Sequence, residues 1–458
     1  MAGIGFEFRR LLRKNTFSGM LGAYFYAGMI SSGPWVVSIL AMLMVHVLAV
    51  LSGLPGNTPA AFMVTVTNLI AHSLIVSGLL QLVLTRYASD QLAENHEEKI
   101  GGALTGAMLI SGLLAAAYAG TMIMLFFKDT TLTYRITVFA SFVTLCEIWL
   151  LSVLLTGLKR YGYVVISYIA GYGLTAACVL PLEGSGLDGL MAGFAAGQGV
   201  LMTLLLGGLL RHYGAGKFVS LDVFRAARSY PQLIYSGLLY NLAIWIDKLM
   251  FWLNPATSQA VAGPFRTSPL YDPPLFLAYL AILPGMAVYV VEVETDFSEA
   301  YDAFFSAVRD GKTLAEISEA REDMESAIKR GLSNMAQVQT VTVAGLMLFS
   351  PHIFKLLGLS TVFLPTFLAD SIGASLQLFF MVLLNYLFYL DRRAETAGLI
   401  TGFLVLNVVF TALTQWLGPD YYGYGFAAAL FVCSLAALPM LSRVVENLEY
   451  YTFMHQEG

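Results

Sequence analysis

The sequence predicts an all-α polytopic membrane protein, with about twelve transmembrane helices arranged as two pseudo-symmetric six-helix bundles. Three observations carry this reading: an apolar composition, apolar runs of spanning length, and a one-sided distribution of lysine and arginine. Apolar residues make up 57% of the 458 and charged residues 12%. A soluble domain is nearer one quarter charged, so lipid is the solvent for most of this chain. The net charge of −5 offers no basic patch, and no nucleic-acid partner is expected. Cys146, Cys178 and Cys433 all sit in apolar runs and read as small hydrophobes, not as a disulfide framework or a metal site.

A helix needs roughly 20 residues to cross the ~30 Å hydrocarbon core. The runs that qualify are 24–51, 61–84, 103–127, 136–158, 163–182 and 187–210, then 233–253, 275–291, 335–354, 367–390, 397–417 and 424–441. They are continuous and not alternating, which excludes a β-barrel. The eighth is the weakest, being short and interrupted by Pro284-Gly285. If the N-terminus is cytoplasmic, the segments on that side hold 20 of the 25 basic residues. The other side holds Lys128, Arg135, Arg266 and Lys355. This bias predicts an even helix count and both termini in the cytoplasm.

The chain divides by composition into a basic amphipathic segment (1–23), a first bundle (24–210), a cytoplasmic linker (211–229), a second bundle (230–442) and a cytoplasmic tail (443–458). The second bundle carries a cytoplasmic insert, 292–330. Ile4, Phe8, Leu11 and Leu12 fall at helical spacing beside Arg9, Arg10, Arg13 and Lys14, the pattern of a helix lying on an anionic leaflet. Gly189, Gly193 and Gly197, and likewise Gly398 and Gly402, have the small-xxx-small spacing that lets helix backbones approach. Gly33-Pro34 and Pro284-Gly285 free backbone groups inside spans, which is tolerated only against protein or a wet cavity.

Ionisable groups at membrane depth are costly and point to function. The transport-path candidates are therefore Glu147, Asp247, Lys248 and Asp370, with Asn241 and His72 as neutral polar groups; Asn68 is a further neutral one. Asp247 and Lys248 are adjacent, so they point about 100° apart on a helix, and each is expected to seek another helix. The spans lack the several arginines that a lipid pyrophosphate would call for, which favours an uncharged cargo. No catalytic constellation, nucleotide loop or HExxH pair is present in the sequence, so no enzyme, cofactor or metal is expected. Glu292-Val293-Glu294-Thr295-Asp296 has the look of an acidic metal motif but no soluble domain behind it.

Two stretches carry a resemblance. Met1-Ala2-Gly3-Ile4-Gly5-Phe6-Glu7-Phe8-Arg9-Arg10-Leu11-Leu12, followed by Ala27-Gly28-Met29-Ile30-Ser31-Ser32-Gly33-Pro34-Trp35, resembles the PelG family, the inner-membrane transport components of the Pel exopolysaccharide machinery of biofilm formers. The stretch from Val291 through Asp296 to Tyr301 is similar to that family too, and length and layout agree. The resemblance implies the multidrug/oligosaccharidyl-lipid/polysaccharide flippase superfamily and a glycan cargo rich in N-acetylgalactosamine. It also implies three partners: a cytoplasmic glycosyltransferase, a membrane-anchored cyclic-di-GMP receptor and a membrane-anchored tetratricopeptide protein. The alternatives are a cation-coupled small-molecule antiporter using Glu147 or Asp247, and a non-transporting scaffold of the synthase.

The insert completes the list of candidates. Phe297, Tyr301, Phe304, Phe305 and Val308 form an apolar helical stripe, and the segment holds eleven acids against five bases. An anionic leaflet repels such a segment, so it is expected to meet protein. Phe304, Phe305, Glu316, Glu319 and Glu322 are the partner-docking candidates.

Overall fold

Long apolar runs broken only by single prolines or glycines fold into long helices. The computed structural model describes residues 17–54, 56–158, 160–213 and 219–454. The amphipathic stretch expected from Ile4 to Lys14 lies outside them. The helices are α1 (Phe17–Leu51), α2 (Thr58–Ala93), α3 (Glu98–Phe126), α4 (Leu132–Gly157), α5 (Tyr161–Ala177) and α6 (Gly186–Tyr213). After a short α7 (Asp222–Ser229) comes α8 (Pro231–Leu253). Then follow α9 (Asp272–Tyr279), α10 (Ile282–Glu292), α11 (Ser298–Arg309), α12 (Leu314–Leu356), α13 (Leu364–Tyr389), α14 (Arg393–Leu417), α15 (Tyr424–Glu446) and α16 (Leu448–Met454).

Ten stretches among the described residues are long and apolar enough to cross a membrane, and the protein is a multi-pass membrane protein. The two remaining expected spans are α8 and the second half of α12. Both are long helices, but Asn241, Asp247 and Lys248 dilute the first, and Gln337, Gln339 and His352 the second. One small sheet departs from the all-helical expectation. Strands β1 (Gln259–Ala262) and β2 (Phe265–Thr267) pair antiparallel after α8, with Ala262 opposite Phe265. Gly263 in the connecting turn has φ +56, a conformation open to glycine at little cost.

Contacts divide the chain into two units, Gly33–Pro269 and Met1–Ser32 with Leu270–Gly458. The sequence expectation had placed the halves at 24–210 and 230–442. Two local packings explain where the contacts fall. Helices α2 and α8 cross at facing glycines: a Cβ on Gly78 would lie 2.6 Å from the Gly237 carbonyl oxygen. In the other unit, Ala27 of α1 packs against Ala287 and Val291 of α10. The change from one unit to the other falls inside α1 at Gly33-Pro34, where proline removes a helical donor.

In lipid there is no hydrophobic drive between helices, so close packing and hydrogen bonds hold them together. Within Gly33–Pro269, α4 lies against both α2 and α6, and α6 against α5. The glycine run of α6 makes this possible. A Cβ on Gly193 would meet the Cys178 Cβ at 2.7 Å, and one on Gly197 the Gly171 carbonyl oxygen at 2.5 Å. Gly398 and Gly402 do not do the same: nothing lies within 4 Å of their Cβ positions. In the other unit the break between α9 and α10 leaves the Ala281 carbonyl for the Gln339 amide of α12, which donates to it at 2.8 Å and to the Ser375 hydroxyl of α13 at 2.7 Å.

Candidate functional site

Helix α4 carries Glu147 at its middle. The side chain is 5% exposed, and neither carboxylate oxygen has a hydrogen-bond partner among the described residues. The Ser111 hydroxyl of α3 is its polar neighbour, and a Cβ on Gly112 would lie 3.4 Å from Glu147 Oε1. A glycine and a small polar residue on α3 thus make room beside this carboxyl group.

Asp247 and Lys248 of α8 are both buried. Contrary to expectation they pair with each other, Lys248 Nζ lying 3.0 Å from Asp247 Oδ2. Their Cβ atoms diverge, but the four-carbon lysine stem bends back around the helix. Its ammonium also donates to the Ile244 carbonyl one turn earlier, at 3.0 Å. Asn241, two turns from this pair, donates to the Gly237 carbonyl at 2.9 Å, beside the α2–α8 glycine crossing. Asp370 belongs to the other unit. It is buried in α13, and a Cβ on Gly423 would lie 2.7 Å from its Oδ1.

Among the transport-path candidates, His72 lines the cavity of the Gly33–Pro269 unit. This space, about 500 Å³, lies among α2, α3, α4, α8 and the hairpin. His72 Nδ1 is 2.8 Å from the Asn68 carbonyl oxygen, and its ring sits 6.2 Å from that of Tyr118, which stacks on Phe142 at 5.4 Å. Asn68, Trp252 and Arg266 also line the space. Sequence reasoning counted Arg266 only as a loop charge. The structure turns it inward: its Nε donates to the Trp252 carbonyl at 3.1 Å and to the Ser258 hydroxyl at 2.8 Å, and Nη2 donates to the Ser258 carbonyl at 2.9 Å. The turn at Gly263-Pro264 was the sequence signal for the hairpin that brings it back.

A second polar series runs along Leu270–Gly458. The Tyr279 hydroxyl donates to Gln377 Oε1 at 3.0 Å, Gln339 joins Ala281 and Ser375, and Asn385 donates to the Tyr289 hydroxyl at 2.9 Å. All these groups are neutral. They are spaced along α9, α10 and α13 over roughly 15 Å of helical rise.

The insert builds the end of the same unit. Val293–Phe297 is a π-helical turn, a form that often marks functional positions. Glu292 accepts from Asn334 at 2.8 Å. Phe304 is fully buried and Phe305 half-buried. Glu316 closes a capping box with Thr313 at the start of α12, and the Thr313 hydroxyl hydrogen bond holds its carboxyl below the usual range. Glu319 and Glu322 are exposed. Arg321 binds Glu325 at 3.1 Å and Glu449 of α16 at 3.3 Å, so the chain's last helix docks onto α12.

The fold is that of known transporters. A multidrug resistance MATE family transporter of the MOP superfamily, in its outward-facing conformation, aligns with 93% of this chain and 96% of its own, at TM-score 0.64 and 14% identity. A MATE in the straight conformation gives 0.66 at 14% identity over the same shares. A MOP superfamily transporter from Pyrococcus furiosus, described by the reverse polarity of its binding pocket, gives 0.65 at 15%, again over 93% and 96%. A search of curated protein sequences finds no match. The family model PelG, "Putative exopolysaccharide Exporter (EPS-E)", matches residues 1–453. The chain belongs to the PelG family, on a fold shared with MATE transporters of the MOP superfamily.

Proposed function

We propose that the protein moves a Pel-type exopolysaccharide, rich in N-acetylgalactosamine and largely uncharged, across the bacterial inner membrane. Both termini lie in the cytoplasm, and a cytoplasmic glycosyltransferase feeds the growing chain. A membrane-anchored cyclic-di-GMP receptor and a membrane-anchored tetratricopeptide protein complete the assembly. The family match over residues 1–453 carries this reading. The polar chemistry at membrane depth agrees with it. Asp247 and Lys248 cancel, and the series Tyr279–Gln377, Gln339–Ser375 and Asn385–Tyr289 offers only neutral donors and acceptors. Hydroxyls and acetamides of a neutral glycan exchange hydrogen bonds with such groups at low desolvation cost.

A second reading is favoured by one observation. A buried carboxyl group beside a serine hydroxyl, Glu147, suits a cation-coupled antiporter. One experiment separates the two. The chain is reconstituted in liposomes loaded with N-acetylgalactosamine oligomers, and release is followed with and without a proton or sodium gradient. Release above protein-free liposomes, lowered at least fivefold by Glu147→Gln at equal protein level, is the expected result. Uptake of a cationic drug driven by the gradient, with no glycan release, refutes the export reading and establishes the antiporter.

A further inference from the structure

The cavity of the Gly33–Pro269 unit has a polarity gradient. At one end are Arg266, Asn68, Trp252 and Phe265, close to the 254–271 connection. Asn68 Nδ2 donates to the Arg266 carbonyl at 3.4 Å, which sets these two at one level. One turn inward comes His72, with Tyr118 and Phe142 stacked beside it; beyond them the walls are Val76 and Leu242, while Ala119, Met122 and Ile123 line the α3 side toward the mouth. From Asn68 to Val76 the helical rise is roughly 12 Å. The space is therefore cationic at its mouth, mildly polar one turn down, and apolar below.

A glycan fits this arrangement poorly. A buried sugar hydroxyl left without a partner is costly, and the inner walls are apolar. A phospholipid repeats the gradient in the same order: phosphate, ester carbonyls, then methylenes. Arg266 has the chemistry for the first. Its Nε and Nη2 are committed to Trp252 and Ser258, while Nη1 makes no hydrogen bond among the described residues. Phe126 and Leu253, both on the cavity wall, are 57% and 77% exposed, so at its mouth the cavity meets the apolar surface that lipid covers. We propose that this cavity is a phospholipid site, with the headgroup phosphate on Arg266 Nη1 and one acyl chain lying between α2, α3 and α8.

The occupant is structural in consequence: it fills a void that lipid tails alone would enter without register, and it fixes the hairpin against α2. The test uses the full chain in vesicles of phosphatidylethanolamine doped with a phosphatidylglycerol that carries a diazirine on one acyl chain. Irradiation is expected to place adducts on peptides containing 68–76 and 118–127. Ala119→Phe, which fills the cavity beside Tyr118 and leaves every Arg266 bond intact, lowers those adducts at least fivefold, while adducts on the outer face of α14 stay constant. Arg266→Gln removes a charge-assisted contact and lowers them about tenfold. Unchanged adducts in Ala119→Phe overturn the proposal even if Arg266→Gln loosens the hairpin. Displacement of the adducts by N-acetylgalactosamine oligomers overturns it too and assigns the cavity to cargo.

Discussion

At the residue scale, the pairing of Asp247 with Lys248 decides what substitutions there report. Both are buried and 3.0 Å apart. Removing one partner of a buried pair leaves an uncompensated charge and costs about 3–5 kcal/mol, whereas replacing both with apolar groups is often neutral. Lys248→Met alone is therefore expected to lower thermal stability sharply, and Asp247→Asn with Lys248→Met to recover most of it. If the double variant melts no higher than the single one, the pair does not act as a unit. Sequence spacing pointed the two side chains apart because it describes Cβ directions. It says nothing of where a flexible four-carbon stem ends. Glu147 was legible as a carboxyl at membrane depth; that it stands beside Gly112 and Ser111 depends on how α3 and α4 register, which no single sequence states.

At the element scale, periodicity made the helices plain, and the Thr313–Glu316 box marks the start of α12 as clearly in sequence as in structure. Of the hairpin only the Gly263-Pro264 turn was legible, since seven residues of strand between two spans look like any loop. With the strands went Arg266 as a cavity residue. The N-terminal half of α12 carries a pH dependence. Lys329, and then Arg321, hold the Glu325 carboxyl below the usual range. A depressed carboxylate adds stability above its unfolded pKa and loses it as pH falls through the folded one. Amide protection over 314–330, each rate taken relative to the unstructured rate at the same pH, is expected to hold at neutral pH and to fall once the pH drops below about 4, where carboxylates protonate. Glu325→Gln should raise exchange at pH 7 and flatten this dependence; a wild-type profile unchanged down to pH 3 counts against it.

At the scale of the whole molecule, the insert joins synthesis to transport in the proposed assembly. Glu316 is engaged in its capping box, Arg321 and Glu325 bind each other, and Arg321 reaches Glu449. Glu319 faces outward, Glu322 is exposed with Arg321 Nη2 3.5 Å from its Oε1, and Phe305 is half-buried beside a buried Phe304. Glu319→Lys with Glu322→Lys should reduce co-purification of the glycosyltransferase severalfold while the membrane helices keep their melting temperature. Intact co-purification moves the docking surface to another cytoplasmic loop. What lies at the far end of this helix gives the contact a mechanical meaning. α12 is 43 residues long, a rod of about 65 Å at 1.5 Å per residue. The acids at 319 and 322 and the amide of Gln339 are on the same stiff lever, roughly 25–30 Å apart. A tilt of only about 5° about the acidic end shifts Gln339 by about 2 Å, more than the hydrogen bond to the Ala281 carbonyl can stretch. An enzyme that leans on the lever as it adds a sugar would thereby draw Gln339 away from the Ala281 carbonyl at the break between α9 and α10.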